Sequence, residues 1–412
     1  MVPDGWGVHK LEDIAKYRRG SFPQPYGLDK WFDDDGHSFV QVYDVDTNLK
    51  LKDVTKAKIS DLAVEKSVLA PRGTVLVTLQ GSIGRVAITQ YPAYVDRTLL
   101  IIKELKLEGD LSYLAISLQE LFAEEKKRAP GGTIKTITKA ALNNFKIFWP
   151  PRKEQQKIAK ILSTWDEAIA TTEQLLANSE QQKKALMQQL LTGKKRLPGF
   201  EGEWRQLSLT DIGDISSAGV DKKSDKNEMK VRLLNYLDVF RKEFIFNQEL
   251  QHEVTAPDAK IASCDVRKGD VFFTPSSETR DELAFPAVAC ETMPGVVYSY
   301  HVVRLRPKIK LDLNFSAYLF QTREFKRQAY RAGDGSGQRY VISQKAFRRM
   351  EVSVPSISEQ EAIGRVLRAA SDEIIELSQE LDFLIEEKKA LMQQLLTGKR
   401  RVKVDEAERA TA

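Results

Sequence analysis

Glycine-rich turns with polar and basic neighbours are the segments of this sequence whose residue types could do chemistry. They are "GSIGR" at residues 81–85, "PGGTIK" at 130–135 and "GDGSGQR" at 333–339. Backbone amides and basic tips of this kind contact the phosphates or the base edges of nucleic acids. The candidate contacts in and beside these turns are Ser82, Arg85, Thr133, Lys135, Ser336, Gln338, Arg339 and Tyr340. A tight connection that needs glycine only for its geometry explains the same segments equally well.

Clusters of basic residues suggest further phosphate contacts. The additional candidates are Lys50 and Lys52 in "KLKDVTKAK", and Lys222 and Lys223 in "DKKSDK". Both clusters are interleaved with acidic residues, so an ordinary solvated surface is the alternative.

Motifs for catalysis or metal binding do not stand out in the sequence. There is no Ser-His-Asp order, HExxH motif, methyltransferase motif, nuclease carboxylate cluster or phosphate-binding loop. Cys264 and Cys290 lack a CxxC or CxH companion, and the histidines are scattered, which favours buried thiols over a disulfide or a zinc site. The sequence therefore predicts a chain that catalyses no reaction alone and holds no metal or cofactor of its own.

Length and composition set wider limits. A chain of 412 residues exceeds the usual size of one hydrophobic core, which predicts two or more domains. The net charge of +5 comes from 63 basic and 58 acidic residues, and this balance permits nucleic-acid binding without requiring it. The apolar runs are too short to span a bilayer and the first residues lack a signal-peptide stretch, so we expect a cytoplasmic protein.

An internal repeat organises the chain that must position the candidate residues. Residues 183–196, "KKALMQQLLTGKKR", recur 205 positions later as residues 388–401, with a single exchange of Lys195 for Arg400. The same register continues backwards through the segment before each copy, whereas the earlier parts of the two halves match only at scattered anchors. The sequence predicts two copies of one module, each with a divergent front and a constant back.

The constant back of each module predicts a long helix. Apolar residues alternate at spacings of four and three through residues 158–190 and 363–395, which is the pattern of a coiled coil. Each seam contains one lysine at the same place, Lys183 or Lys388. An antiparallel pair of helices separates these lysines, so we expect antiparallel pairing within one molecule and a pseudo-two-fold relation between the fronts. Helices that contact separate surfaces or pair two molecules are the alternative.

The divergent fronts predict mixed α/β domains. Short β-rich runs such as "TVLVTL" and "DVFFT" alternate with turn residues, and a helix at 111–127 or 314–331 precedes the glycine-rich turn of each module. We expect core or cross-strand packing for the tyrosines in strand-like runs, which are Tyr43, Tyr236, Tyr298 and Tyr300. The predicted segments are a first domain at 1–149, a first helix at 150–200, a second domain at 201–354, and a second helix with a tail at 355–412.

A divergent module followed by a constant heptad helix, then both again, resembles the specificity subunit of Type I restriction-modification enzymes. The resemblance covers essentially the whole chain. It is carried by the openings at Trp6 and Trp204, by "PRGTVLVTLQGSIGRVAI" with "VRKGDVFFT", by "PPRKEQQKIAKIL" with "PSISEQEAIGRVL", and by the repeated "ALMQQLLTGK". The second module departs from the pattern at "SSETRDELAF", where the first has "QGSIGRVAI". The resemblance implies an α+β fold in which two long antiparallel coiled-coil helices join two mixed α/β target-recognition domains.

The resemblance also implies a function. Each domain would recognise one half of an asymmetric, bipartite site in double-stranded DNA, and the paired helices would fix the gap between the halves. The implied partners are two modification subunits, which bind S-adenosylmethionine and methylate adenine, and up to two restriction subunits that use ATP and Mg²⁺. Candidate docking residues for the modification subunits are Leu186, Leu190, Lys194, Lys195, Leu391, Leu395, Lys399 and Arg400. A solvated basic turn that complements the helix dipole is the alternative for these ends.

Two other classes of function fit the same pattern. A DNA-binding scaffold unconnected to methylation could use the same bipartite geometry, and it would bind its site tightly without a partner. A coiled-coil adaptor that joins two protein-binding modules would show no salt-dependent affinity for DNA.

Overall fold

The computed structural model describes residues 2–128, 142–222, 225–336 and 338–404, except for the side chains of residues 126–128 and 336. The chain forms two compact units. The first unit consists of Met1–Thr172 with Glu380–Ala412, and the second consists of Glu173–Gln379. Each unit therefore combines one predicted recognition domain with segments of both predicted long helices. None of the helices in the described ranges combines the length and the hydrophobicity that a membrane span requires.

The first unit is built on two four-stranded sheets. Its described strands are β1 (Gly7–Lys10), β2 (Ala15–Arg19), β3 (Phe32–Val40), β4 (Ala57–Ile59), β5 (Val68–Ala70), β6 (Val75–Thr78), β7 (Val86–Ile88), β8 (Ala93–Val95), β9 (Leu99–Leu105) and β10 (Lys146–Trp149). The helices of its described residues are α1 (Leu11–Ile14), α2 (Asp61–Val64), α3 (Leu111–Arg128) and the beginning of α4 (Arg152–Leu190). The sheets have the orders β2-β9-β6-β7 and β4-β3-β8-β5, and β1 pairs with β10 in a separate ladder.

The described residues of the second unit form more strands. They are β11 (Arg205–Ser208), β12 (Gly213–Ser216), β13 (Met229–Leu234), β14 (Phe244–Ile245), β15 (Glu253–Ala256), β16 (Asp265–Val266), β17 (Val271–Phe273), β18 (Ser276–Ser277), β19 (Pro286–Ala289), β20 (Met293–Tyr298), β21 (Val303–Pro307), β22 (Gly333–Ser336), β23 (Arg339–Ile342) and β24 (Glu351–Val354). The helices are α5 (Leu209–Ile212), α6 (Tyr236–Val239), α7 (Asp258–Ser263), α8 (Leu313–Leu319), α9 (Arg323–Ala332), α10 (Gln344–Arg348) and α11 (Ile357–Leu395), which ends in the first unit.

The two units share one topology. The order β12-β21-β17-β19, to which the second unit adds β14 as a fifth strand, repeats β2-β9-β6-β7, and the order β15-β13-β20-β16 repeats β4-β3-β8-β5. In both of the latter sheets the two central strands run parallel, β3 with β8 and β13 with β20, while their outer neighbours run antiparallel. The predicted internal repeat is therefore present in the fold, including the fronts whose sequences diverge.

The long helices α4 and α11 run antiparallel inside each unit. In the first unit Lys388 pairs with Asp166, and Arg401 near the end of the chain pairs with Glu154 at the start of α4. In the second unit the Ser179 hydroxyl lies 3.3 Å from a Glu373 carboxylate oxygen, so later residues of α4 again meet earlier residues of α11. The heptad seam explains the pairing, because the residues at its a and d positions are the ones that the helices bury.

Each helix end also closes the core of its unit. Ile158 and Leu162 of α4 pack with Leu395 of α11 in the core of the first unit. The second unit repeats this arrangement with Ile363, Leu367 and Leu190. These residues are almost completely buried.

Local chemistry corrects two predictions about the second domain. The helix predicted at 314–331 is interrupted and forms α8 and α9, because the Thr322 hydroxyl accepts a hydrogen bond from the Phe325 amide and caps a new helix. The glycine-rich segment after it is not a plain turn, since β22 and β23 pair as an antiparallel hairpin. Gly335 in this hairpin has a φ of 133°, and a Cβ there would stand 2.3 Å from the Arg339 carbonyl oxygen, so the hairpin needs glycine.

Candidate nucleic-acid interface

The loops that follow the parallel strands occupy equivalent places in the two units. In the first unit the Asp96 amide after β8 donates to the Val40 carbonyl at the end of β3, at 3.0 Å. In the second unit the Ser299 amide after β20 donates to the Leu234 carbonyl at the end of β13, at 2.9 Å. Side chains from both loops therefore meet at the carboxyl ends of the parallel pair, the place where open α/β sheets commonly bind ligands.

A cleft opens at this place in the second unit, with a volume of about 570 Å³. We call it the second-domain cleft. Its lining residues are Lys222, Tyr236, Leu237, Phe240, Ser276, Ser277, Glu278, Glu282, His301, Gln338 and Arg339. Among the predicted contacts, the fold thus gathers Lys222, Gln338 and Arg339 on one surface.

Lys222 and Arg339 bring positive charge to the second-domain cleft. Arg339 donates from Nη2 to the buried Ser276 hydroxyl at 2.9 Å, which holds the guanidinium beside the cleft. Partial burial, and then the charges of Lys222 and Arg339, lower the pKa of His301 below its ordinary value. The imidazole is therefore mostly neutral at neutral pH and can both donate and accept hydrogen bonds.

The two acidic side chains that line the cleft, Glu278 and Glu282, have different surroundings. Glu282 is held by Arg241, at 2.7 Å from Nη2, and by the Ser277 hydroxyl at 3.0 Å, so its charge is compensated. Glu278 is exposed. The cleft thus contains a guanidinium, a neutral imidazole, an amide, hydroxyls and a carboxylate. These groups recognise base edges and phosphates.

The first unit carries a polar and aromatic surface at the equivalent place, which we call the first-domain patch. It consists of Tyr26, Gln41, Tyr43, Lys56 and Arg97. The Gln41 amide bridges the hydroxyls of Tyr26 and Tyr43, and both tyrosines are 40% exposed. The Arg97 guanidinium lies 5.7 Å from the centre of the Tyr26 ring, and the Lys56 ammonium lies 4.9 Å from that of Tyr43.

The two tyrosines of the first-domain patch act as hydrogen-bonding groups rather than as charges. Burial, and then the nearby Asp96 carboxylate, raise the pKa of Tyr26 to about 12. Burial, and then Asp44 and Asp96, also raise the pKa of Tyr43. Both hydroxyls therefore stay protonated. Tyr43 donates its O–H to the Gln41 side-chain oxygen, and Tyr26 accepts from the Gln41 side-chain nitrogen, so each residue presents a flat, neutral ring.

The predicted contacts of the first domain are more scattered than those of the second. Ser82 is exposed between β6 and β7. Its neighbour Gly81 is close to Val42, which lies between Gln41 and Tyr43 in the chain, since a Cβ on Gly81 would stand 3.6 Å from the Val42 side chain. Arg85 is half-buried, and its guanidinium donates to the Val45 carbonyl at 3.2 Å. Part of its hydrogen-bonding capacity is therefore used within the protein. Lys50 lines a separate cleft next to α4.

The remaining predicted contacts have varied outcomes. Lys52 is exposed, and its carbonyl accepts a hydrogen bond from Tyr91. Tyr340 is half-buried, and the Arg280 guanidinium lies 4.8 Å from its ring centre. Its ring therefore packs against a neighbouring side chain and does not extend freely into solvent. The candidates outside the described residues are Thr133, Lys135 and Lys223, and the side chain of Ser336 is likewise outside them.

The prediction that the tyrosines of strand-like runs pack in the core holds for Tyr298, which is fully buried. It is wrong for Tyr43 and Tyr300, which are 40% and 48% exposed, because Tyr43 lies in a short 3-10 helix (Val42–Asp44) after β3 and Tyr300 lies in the loop after β20. Tyr236 begins α6 and lines the second-domain cleft.

The predicted docking residues fall into two groups. Leu190 and Leu395 are 3% and 2% exposed and belong to the cores of their units, so they are unavailable to a partner in this structure. Leu186 and Leu391 are half-buried against the same cores. The exposed members are the basic ones, Lys194, Lys195, Lys399 and Arg400.

Sequence reasoning missed several residues of both surfaces. Ser276, Ser277 and Glu278 come from "SSETRDELAF", the segment in which the second module departs from the first. That segment nevertheless occupies the place of "QGSIGR", because the amides of Gly84 and Ala284 donate to Thr78 and Thr274 in the same way. The signal that could have found it is a loop of unequal length between aligned strands.

The described residues contain no group of three or more His, Cys, Asp or Glu side chains arranged to hold a metal ion. Cys264 is buried and Cys290 is half-buried, and both are free thiols.

Comparisons with known proteins agree with this architecture. A family model described as "Type I restriction modification DNA specificity domain" matches residues 3–181 and again residues 201–387. The chain is 25% identical over 414 residues to the MjaVIII specificity subunit of a Type I restriction enzyme from Methanocaldococcus jannaschii, which covers 98% of this chain and 94% of that protein.

Two solved structures share the fold. The S subunit of a Type I restriction-modification system from M. genitalium is 15% identical, covers 96% of each chain and has a TM-score of 0.59. A chain described under "complex assembly and conformational transition of the type I R-M system" is 16% identical, covers 96% of this chain and 98% of that chain, and has a TM-score of 0.57. Because the family model covers most of the sequence in two copies, the protein belongs to the family of Type I restriction-modification specificity subunits.

Proposed function

We propose that this chain is the subunit that selects the DNA sequence for a Type I restriction-modification complex, with each unit recognising one half of a bipartite, asymmetric site. The observation that carries the proposal is that two units of one topology present different side chains at the same place. The second unit offers Lys222, His301 and Arg339, whereas the first offers Tyr43 and Arg97. Two identical surfaces would favour a palindrome, and two different surfaces favour an asymmetric site.

The chain performs recognition, and partner subunits perform the chemistry. We propose that two modification subunits with bound S-adenosylmethionine methylate adenine in the selected site. Up to two restriction subunits that use ATP and Mg²⁺ complete the complex when it cleaves DNA. Double-stranded DNA is then the shared substrate, and the complex works in the cytoplasm, where the chromosome is.

The repeated helix ends are the proposed docking sites for the modification subunits. Lys194 and Lys195 follow α4, and Lys399 and Arg400 follow α11, in the same sequence context and with the same exposure. Two copies of one partner need two equivalent surfaces, and these segments are the most similar part of the repeat.

The experiment that tests the proposed function is a map of methylated adenines in the native host, with and without this gene, by long-read sequencing. We expect deletion of the gene to remove one motif that consists of two short defined halves around a fixed gap. An unchanged methylome despite expression of the gene would contradict the proposal and would favour a DNA-binding scaffold unconnected to methylation.

A further inference from the structure

We propose that Arg339 recognises the guanine of a G·C pair in the half-site of the second unit, and that Ser276 positions its guanidinium. This inference rests on the proposed function and adds a residue and a base to it. Arginine recognises guanine through two parallel hydrogen bonds to O6 and N7 in the major groove. Such recognition needs a fixed guanidinium, free donors and a backbone element that can enter the groove.

The backbone element is the hairpin of β22 and β23. A two-stranded ribbon is one of the structures that the major groove admits. Gly335 pairs with Tyr340, and Ser336 with Arg339, so Arg339 stands next to the turn of the ribbon. The ribbon is also anchored, since Ser276 and Ser277 of β18 pair with Val341 and Tyr340 of β23. The exposed residues Asp334, Gln338 and Val341 show that this hairpin faces solvent.

The guanidinium of Arg339 is fixed by one hydrogen bond. Nη2 donates at 2.9 Å to the hydroxyl of Ser276, a residue that is 6% exposed and sits in β18. Because Ser276 is buried on a paired strand, its hydroxyl has a fixed position. A hydrogen bond to it therefore restricts the orientation of the guanidinium. A phosphate contact would not need this restriction, because the phosphate charge can be met from many directions.

The other donors of Arg339 are available. A guanidinium carries five N–H groups, and across the described ranges Ser276 is the single hydrogen-bond partner of this one. No carboxylate of the described residues lies within 4.0 Å of it, in contrast to Arg241, Arg306 and Arg196, which all form ion pairs. An exposed arginine that is positioned but not neutralised retains its donors for a ligand.

The surroundings favour a base edge over a free anion. His301, Gln338 and Glu278 lie in the same cleft, and together they offer neutral donors and acceptors as well as a carboxylate. A carboxylate repels phosphate but accepts a hydrogen bond from the amino group of cytosine, the partner of guanine. The mixture of groups therefore suits the edge of a G·C pair.

The experiment compares methylomes of the host that carries the wild-type gene, Arg339→Ala, Arg339→Lys or the control Arg349→Ala. Arg349 is an exposed arginine of the same domain outside the cleft, so its variant removes the same charge. We expect both Arg339 variants to relax one G·C position of the second half-site and to leave the first half-site unchanged. The control should retain the wild-type motif.

Competition with synthetic duplexes makes the result quantitative. The purified complex is offered the mapped site with each of the four base pairs in turn at every position of the second half. For the wild-type complex we expect discrimination of about 10- to 100-fold at the guanine, and for Arg339→Ala a discrimination close to one. Ser276→Ala should give an intermediate value, and Ser276→Thr, which keeps the hydroxyl, should restore it.

Three outcomes would overturn the inference while leaving the proposed function intact. They are a second half-site without a G·C pair, an Arg339→Ala motif identical to the wild type, and a uniform loss of affinity for all four base pairs, which indicates a phosphate contact. Failure of the proposed function is distinguishable, because the deletion strain would then keep its methylome. Thermal unfolding of the Arg339 variants identifies any loss caused by misfolding.

Discussion

At the scale of single residues, the first-domain patch combines flat rings with cations. Arg97 and Lys56 lie over the rings of Tyr26 and Tyr43, which restrains long side chains that would otherwise lose more entropy on binding. Such a surface can contact bases and phosphates together, and its members come from different loops.

We predict that Tyr43→Ala and Arg97→Ala each weaken binding to the intact site by about tenfold, or roughly 1.4 kcal/mol. The reason is that each removes one member of a ring and cation pair that faces the DNA. Equilibrium binding of the purified complex to a labelled duplex measures the loss. Lys16→Ala is the control, because Lys16 is an exposed lysine of the same unit that lies outside the patch and pairs with Glu104 across β2 and β9. Equal losses in the control and in the patch variants would contradict the prediction.

The neutral imidazole of His301 gives DNA binding a dependence on pH. Its pKa is lowered in the free protein by burial and by the charges of Lys222 and Arg339. Nearby DNA phosphates favour the protonated form, so binding raises this pKa and takes up a proton. We therefore predict that affinity rises a few-fold as the pH falls from about 7.5 to about 6. His301→Gln should bind without this gain, and an unchanged slope in that variant would show that another group titrates.

At the scale of elements, each long helix is tied to its partner by an ion pair at its start. Glu154 pairs with Arg401, and Glu359 pairs with Arg196 through two hydrogen bonds, one of them 2.7 Å long. The two pairs are related by the repeat and differ in burial, since the arginine side chains are 44% and 26% exposed. These ion pairs set the register of the two antiparallel helices. The heptad pattern alone is compatible with registers that differ by whole heptads.

We predict that Arg196→Ala lowers the free energy of unfolding by about 3 kcal/mol, because it leaves the Glu359 carboxylate buried without its partner. Arg401→Ala should cost less, since the more exposed pair is better solvated. Unfolding in denaturant, followed by tryptophan fluorescence, measures both, as Trp204 and Trp6 lie near the respective arginines.

The repeat offers matched controls for this comparison. Lys195→Ala and Arg400→Ala remove the exposed neighbours of the two arginines, and we expect changes within about 0.5 kcal/mol. Controls as destabilised as Arg196→Ala would mean that the loss comes from the basic turn and not from the buried carboxylate.

At the scale of the whole molecule, the two recognition surfaces lie on units with separate hydrophobic cores. Changes at sites that share no contacts usually add in free energy. Each half of the site should therefore respond to its own unit.

We predict that Arg97→Ala combined with Arg339→Ala weakens binding by the product of the two single losses. The measurement is a double-mutant cycle with the labelled duplex, in parallel with the methylome of the strain. A coupling of more than about 0.5 kcal/mol would show that the units do not act independently.

The sequence alone determined the repeat, the two long helices and the family. Heptad spacing and repeated letters are local properties that any window of the chain displays, and burial of Ile158, Leu162, Ile363 and Leu367 follows from them. The strand-like runs were also located, because alternating β-branched and aromatic residues form strands in many contexts. The sequence did not predict which residues lie outside the strands. Tyr43 and Tyr300 occur in runs with the composition of strands, but both lie beyond the strand ends.

The tertiary structure decided which polar residues share a surface. Lys222, Ser276, His301 and Arg339 are far apart in the chain, and the strand order β15-β13-β20-β16 with its neighbouring hairpin brings them to one cleft. Strand order depends on pairings between segments that are distant in the chain. The lengths of the loops between strands do not specify which strands pair. For the same reason, only packing shows that Leu190 and Leu395 are core residues, whereas Lys194, Lys195, Lys399 and Arg400 are exposed.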